Sequence, residues 1–224
     1  MGFSYGPSIA TTGLIFYVDA GNTKSYPGSG TIVTDLSGNG YEGTLVNSPT
    51  HTAGSSGYWT FNGTSSLINF TTVNLSTTAT WTVFGIARYN GLGGNVRGRI
   101  ISSYGNNWLM GHHSASTTNF YAGGWVGAAG SGTGTNDNAW RIYHATGNVT
   151  SGQYQLYVNN TSTLGPTRGG TVGPNGFTLG AYGAAGSPSE YSNGDCAFLG
   201  AYNRVLSFAE VVQNFNALRL RYGL

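Results

Sequence analysis

Short runs rich in β-branched and aromatic residues recur along this chain, each closed by Gly, Ser or Asn. This recurrence limits the fold more than any other feature. "LIFYVD" at 14–19, "GYWTFN" at 57–62, "SLINFT" at 66–71, "TWTVFGIARY" at 80–89 and "GRIISSY" at 98–104 read as strands. "TNFYA" at 118–122, "AWRIYHAT" at 139–146, "QYQLYV" at 153–158, "GFTLGAY" at 176–182 and "DCAFLGAY" at 195–202 continue the series. Such side chains suit a pleated surface, while Gly and Asn tolerate the positive φ of tight turns. Within 81–87, Trp81, Val83, Gly85 and Ala87 share one face and Thr82, Phe84 and Ile86 the other. Two partly apolar faces predict a central strand. "VNNTST" at 158–163 predicts a hairpin.

One helix is expected, over 207–220. Ser207 and Glu210 form a capping box, and Phe208, Val211, Val212, Phe215 and Leu218 follow at helical spacing. Many strands with one terminal helix predict an all-β, two-sheet antiparallel sandwich or jelly roll. The 224 residues suit a single domain spanning 1–224, with 1–12 as an N-terminal arm. The glycine-rich 123–138 reads as a long exposed loop.

Only 7% of residues are charged, yet 15 Tyr, 10 Phe and 5 Trp exclude a disordered chain. The polar surface must therefore be neutral, built from Ser, Thr, Asn and Gly. A net charge of +2 with scattered basic residues gives no nucleic-acid footprint. The pairs Arg97/Arg99 and Arg219/Arg221 read as solvated or interfacial. No apolar run approaches the ~20 residues of a membrane span, and no signal peptide opens the sequence. A soluble protein without an export signal is expected. The single Cys196, in an apolar run, reads as a buried inert thiol.

"GLIFYVDAGNTKSYPGSGTIVTDLSGNGYEGTL" near the start, "YWTFNGTSSLINF", and "CAFLGAYNRVLSFAEVVQNFNALRLRYG" at the end resemble the laminin-G-like, concanavalin A-like jelly roll. The similarity is strongest to the version found in tailed-bacteriophage virion proteins. It implies two antiparallel sheets stacked face to face, with first and last strands adjacent, and roles in sugar recognition, adhesion or assembly. Where such domains often read Phe-Asp-Gly followed by acids, this chain has Phe61-Asn62-Gly63-Thr64-Ser65-Ser66, without the carboxylates of that type of calcium site.

"DLSGNGYEGTL" at 35–45 satisfies two patterns at once. Gly38, Gly40 and Gly43 spell G-x-G-x-x-G, but no helix follows to aim at a phosphate. Asp35 opens a calcium-loop pattern, but its twelfth position is Val46 where a bidentate Glu is required. Two readings stay open: an oxygen-ligand calcium site of Asp35 and Asn39 completed by Asp195, or a turn capped by Asp35 and Ser37 with Gly38 and Gly40 at positive φ.

The seven acids show no strand spacing that pairs two carboxylates for glycoside hydrolysis. His112 and His113, being consecutive, point to opposite faces of a strand and cannot chelate together. Trp108 in "YGNNWLMGHH" and Trp125 in "AGGWVGAAG" are the candidate sugar-stacking plates, with Asn106 and Asn107 to meet hydroxyls.

The main functional expectation is a non-enzymatic virion structural protein of a tailed phage, a capsid decoration or tail or fibre component. Its partners would be other virion proteins and itself, as a homo-oligomer such as a trimer. The alternative is a carbohydrate-binding adhesin for cell-surface glycans, and the third a calcium-dependent glycan hydrolase. No cofactor other than calcium is implied.

Overall fold

The computed structural model describes residues 8–90, 98–127, 137–167 and 169–224. Residues 1–7 of the expected arm, Arg97, and 128–136 of the glycine-rich stretch lie outside the described residues. The strands, in chain order, are β1 (Leu14–Asp19), β2 (Ile32–Thr34), β3 (Glu42–Val46), β4 (Thr50–Thr52) and β5 (Tyr58–Asn62). Next come β6 (Leu67–Asn74), β7 (Thr80–Tyr89), β8 (Ile101–Ser102), β9 (Trp108–His113) and β10 (Ser116–Ala122). The series closes with β11 (Arg141–Asn148), β12 (Gln153–Val158), β13 (Thr161–Thr167), β14 (Asn175–Leu179) and β15 (Asn193–Tyr202), before the helix α1 (Phe208–Leu218).

These form two antiparallel sheets. One runs β13-β12-β11-β7-β15-β5-β4, and the other β10-β9-β8-β14-β6-β3-β2. β15 uses its ten residues to pair β7 along one edge, while its other edge is shared between β5 and β1. The first and last strands are thus adjacent, and the all-β sandwich with one short C-terminal helix is the fold expected.

Packing follows from strand alternation. In β7, Trp81, Val83 and Ala87 enter the core between the sheets with Phe16, Trp59, Phe70 and Leu199. Phe84 and Ile86 face the other way, into a second apolar layer with Ile142, Phe198, Val211 and Leu218 beneath α1. Both faces of the central strand are therefore buried. Cys196 is fully buried, and desolvation pushes its thiol pKa up to about 12, so it carries no thiolate at neutral pH.

The helix begins as its sequence requires. The Ser207 side chain accepts from the Glu210 backbone N–H, and the Glu210 carboxylate accepts from the Ser207 N–H. Its inward face differs from the expected stripe: Phe208 is exposed, whereas Asn214 is fully buried. Asn214 Oδ1 accepts from the Ala10 N–H and its Nδ2 donates to Tyr202 Oη, which itself donates to the Ala10 carbonyl. This network binds the segment before β1 to both α1 and β15. After Leu218 a single 3-10 turn, Arg219–Tyr222, ends the helical region that 207–220 was expected to hold.

The hairpin between β12 and β13 has Asn159 and Asn160 at φ 49° and 58°, a two-residue turn of the expected chemistry. Arg221 departs from its expectation. It forms a bidentate pair with Asp19, with Nη1–Oδ2 at 2.8 Å and Nη2–Oδ1 at 2.7 Å, tying the C-terminal turn to the end of β1.

Candidate functional site

The stretch 35–45 is a turn. Asp35 Oδ1 accepts from the N–H groups of Tyr17 and Ser37, each at 2.9 Å, and Oδ2 accepts from the Ser37 hydroxyl at 2.6 Å. Asn39 Nδ2 donates to the Ile15 carbonyl, and Gly38 and Gly40 sit at φ 90° and 75°. Asp195 lies on β15 in the opposite sheet, held by Thr60 Oγ1 and Arg88 Nε, each at 2.7 Å. Asp35, Asn39 and Asp195 share no partner, so the calcium set expected from sequence is not assembled; each group already has internal donors or acceptors. Among the described residues no three His, Cys, Asp or Glu side chains are placed to hold a metal ion.

Trp108 also requires correction. It is fully buried on β9, edge-on to Trp81 at 5.8 Å, Phe120 at 6.0 Å and Phe177 at 6.3 Å, and offers no face to a sugar. Asn106 is spent on structure: its Oδ1 accepts from Asn175 N–H and its Nδ2 donates to the Gly173 carbonyl. The Asn-rich setting of Trp108 misled because these amides latch a loop while the indole points inward.

Asn107 and Trp125 do come together, through residues the sequence did not connect. His112 and His113 point to opposite faces of β9, as their spacing demands. His112 is buried between Tyr89 and Tyr143, while His113 reaches the outer face. There the half-buried Trp125 packs 5.8 Å from His113 and edge-on to Tyr121 at 5.2 Å. His113 Nε2 stands 3.1 Å from Glu190 Oε2. Glu190 is gripped by Arg99 through Nε–Oε2 at 2.7 Å and Nη2–Oε1 at 3.2 Å. Arg99 Nη1 donates to Asn107 Oδ1 at 2.7 Å, and Asn107 O accepts from Gly123 N–H, two residues before Trp125. A closed ring of contacts results.

Arg99 lies beneath this surface, only 4% exposed, with its guanidinium 4.2 Å from the centre of the Tyr182 ring. It is not the solvated residue expected. Its backbone N–H pairs with the Glu190 carbonyl, and Gly98 fits there because a Cβ would collide with that same oxygen. Glu190 itself adopts φ 46°, a left-handed conformation that its side chain disfavours and that the bidentate arginine holds in place. Burial lowers the His113 pKa, reinforced by Arg99 and opposed by Glu190, so the imidazole is neutral at pH 7.

The product is a fixed, partly exposed indole beside an exposed carboxylate and an exposed amide. Such a surface can stack on an apolar ring face while accepting from and donating to hydroxyls. No local spacing joins residues 99, 113, 121, 182 and 190; only Trp125, in its glycine-rich run, and Asn107 signalled the place.

No protein-family model matches the chain, and no curated protein matches it. Its fold is shared with solved structures at low identity. The sialidase of Trypanosoma rangeli in complex with sialic acid aligns with a TM-score of 0.66 and 16% identity, over 99% of this chain and 35% of that one. The binding domain of Paraclostridial Mosquitocidal Protein 1 aligns at 0.64 and 15%, over 92% and 52% respectively. The binding domain of Botulinum Neurotoxin DC in complex with SialylT aligns at 0.67 and 14%, over 93% and 52%. This chain thus spans about a third to a half of the length of those chains. The comparison corrects the expectation of a non-enzymatic protein, which rested on the family resemblance and on the lack of paired carboxylates in the sequence: the same fold occurs in sialidase chains as well as in binding domains.

Proposed function

We propose that the chain recognises carbohydrate through the surface formed by Trp125, Tyr121, His113, Asn107 and Glu190. The observation that carries this is the half-buried Trp125 indole, braced by Tyr121 and set beside polar groups that buried Arg99 immobilises. Preorganised donors and a rigid ring lose little entropy on binding, which weak sugar contacts require. The presence of glycan-complexed neighbours in the same fold supports it. The test is retention of the labelled full chain on a broad glycan array. Trp125→Ala should abolish retention on at least one set of glycans that the wild type holds, while the thermal melt stays unchanged. Absence of binding by the wild type, or full retention by Trp125→Ala, would remove this reading.

Assembly into a tailed-phage virion, as capsid decoration or as a tail or fibre part, is the second reading. The sequence resemblance supports it, together with a 7% charged composition and the exposed apolar Ile32 and Leu220. Mass spectrometry of purified particles and light scattering of the isolated protein address it. A chain missing from the particles would end it, and a trimer in solution would favour it.

A further inference from the structure

The outer face of the sheet that carries α1 is divided in two. Beneath the helix it is apolar, formed by Phe84, Ile86, Ile142, Tyr157 and Phe198. Toward the other end of the same strands it becomes polar. The register sets Thr82 beside Thr146, Thr146 beside Gln155, and Asn148 beside Gln153. Alternation keeps all of these on the outer face, because Trp81, Val83, Ala145, Tyr154 and Leu156 enter the core. The segment after β15 is pinned across this area: Thr82 Oγ1 donates to the Arg204 carbonyl at 2.8 Å and accepts from Leu206 N–H at 3.0 Å.

An open cleft of about 310 Å³ results, lined by Thr146, Asn148, Ser151, Gln153, Gln155 and Val205. Its volume is at the lower end of the ~300–1,000 Å³ typical of ligand sites. Among the described residues no charged side chain lines it. Val205 is the exposed apolar side chain in its lining, while Val149 adjoins Asn148 in the chain and Phe208 reaches the lining through Tyr157. Val205 is 39% exposed, Phe208 56%, and Val149, in the turn between Asn148 and Ser151, 37%. Among the described residues only Ile32 and Leu220 are other large apolar side chains so exposed. Phe208 stacks on Tyr157 at 5.9 Å, the Tyr157 hydroxyl donates to Gln155 Oε1, and Gln155 Nε2 donates to Ser162 Oγ. Gln155 is therefore held in place yet keeps one amide hydrogen and one oxygen lone pair. Asn148 Oδ1 accepts from Ser151 N–H and, among the described residues, neither its Nδ2 nor the exposed Gln153 amide has an internal partner.

An ionic ligand entering this cleft would lose hydration and find no counter-charge among the described lining residues. A purely apolar ligand would strand the amides of Asn148, Gln153 and Gln155. A ring that carries C–H groups on one face and hydroxyls at its rim satisfies both halves. The geometry points to a second carbohydrate site here, taking an uncharged oligosaccharide that packs on Phe208 and Val205 and bonds to Asn148, Gln153 and Gln155. It is on the opposite sheet from Trp125 and does not depend on that site, so one chain could hold two glycan strands from its two faces.

The test is a side-chain amide NMR titration of the ¹⁵N-labelled full chain with maltoheptaose, cellohexaose and chitohexaose, with sialyllactose as charged control. At least one neutral probe should shift the Asn148, Gln153 and Gln155 amides, while sialyllactose does not. Gln153→Ala with Asn148→Ala, and separately Phe208→Ala, should weaken that response about tenfold or more. Trp125→Ala should leave it intact, so loss of the Trp125 site and loss of this cleft register separately. No shift with any neutral probe, or a shift that survives both sets of substitutions, overturns the proposal. A concentration-dependent dimer abolished by Phe208→Ala would also overturn it, by assigning the face to a second copy of the chain.

Discussion

His112 and His144 are fully buried, and neither ring nitrogen of either has a hydrogen-bond partner among the described residues. Desolvation lowers each pKa to about 3. The unfolded chain takes up a proton at each histidine near its ordinary ~6.5, while the folded chain does not. Stability is therefore full above about pH 6.5 and declines as pH falls toward 3, with each histidine adding up to about 1.4 kcal/mol per pH unit. His144 lies flat on Phe84 at 4.8 Å with an interplanar angle of 3°. His144→Phe keeps that stack and removes two orphaned polar atoms, so it should hold or raise stability at pH 7. Urea unfolding across pH 4–7 should show a slope shallower by up to one proton. An unchanged slope would show that His144 is already charged or solvated.

At the scale of one element, α1 depends on its first turn. The Glu210 carboxylate is lowered to about 2, chiefly by the Arg204 guanidinium and next by the Ser207 N–H. Its contribution is thus present above the ordinary carboxylate value and lost as pH falls through about 2, in the same direction as the histidines. Ser207→Ala should cost about 1 kcal/mol, read as a lower urea midpoint at unchanged m-value. A midpoint within error of wild type would mean that Arg204 alone secures the turn. This cap was legible in sequence because its partners are three residues apart. The bounds of β1, β7 and β12 were legible too, since alternation and flanking turn residues are local signals. β9 was not: "WLMGHH" follows a polar loop, and its burial depends on Trp81 and Phe177, far away in the chain. β2 and β4, at three residues each, are too short for a pattern, and β13 carries Gly165 and Pro166, which only an edge strand accepts. The Arg99–Glu190–His113 group was hidden for the same reason as β9, since the fold rather than spacing unites it.

Metal dependence is a property of the whole molecule, because it asks what every carboxylate is already doing. The chain has seven acids. Five of them face an arginine: Asp19 with Arg221, Asp137 with Arg141, Glu190 with Arg99, Asp195 with Arg88 and Glu210 with Arg204. Asp35 is filled by two backbone N–H groups and a hydroxyl, which leaves Glu42, exposed on β3. A calcium ion needs several oxygens together, and recruiting them here would break an ion pair or open the turn that ties β2 and β3 to β1. Anything that binds only the folded state raises the melting temperature, and its removal lowers it. Millimolar chelator should therefore leave the melting temperature unchanged. Asp35→Asn, which weakens the turn, should cost about 1–3 kcal/mol with or without added calcium. A drop of several degrees on chelation, restored by calcium and absent in Asp35→Asn, would instead place a metal in this turn and reopen the reading that its first residues invite.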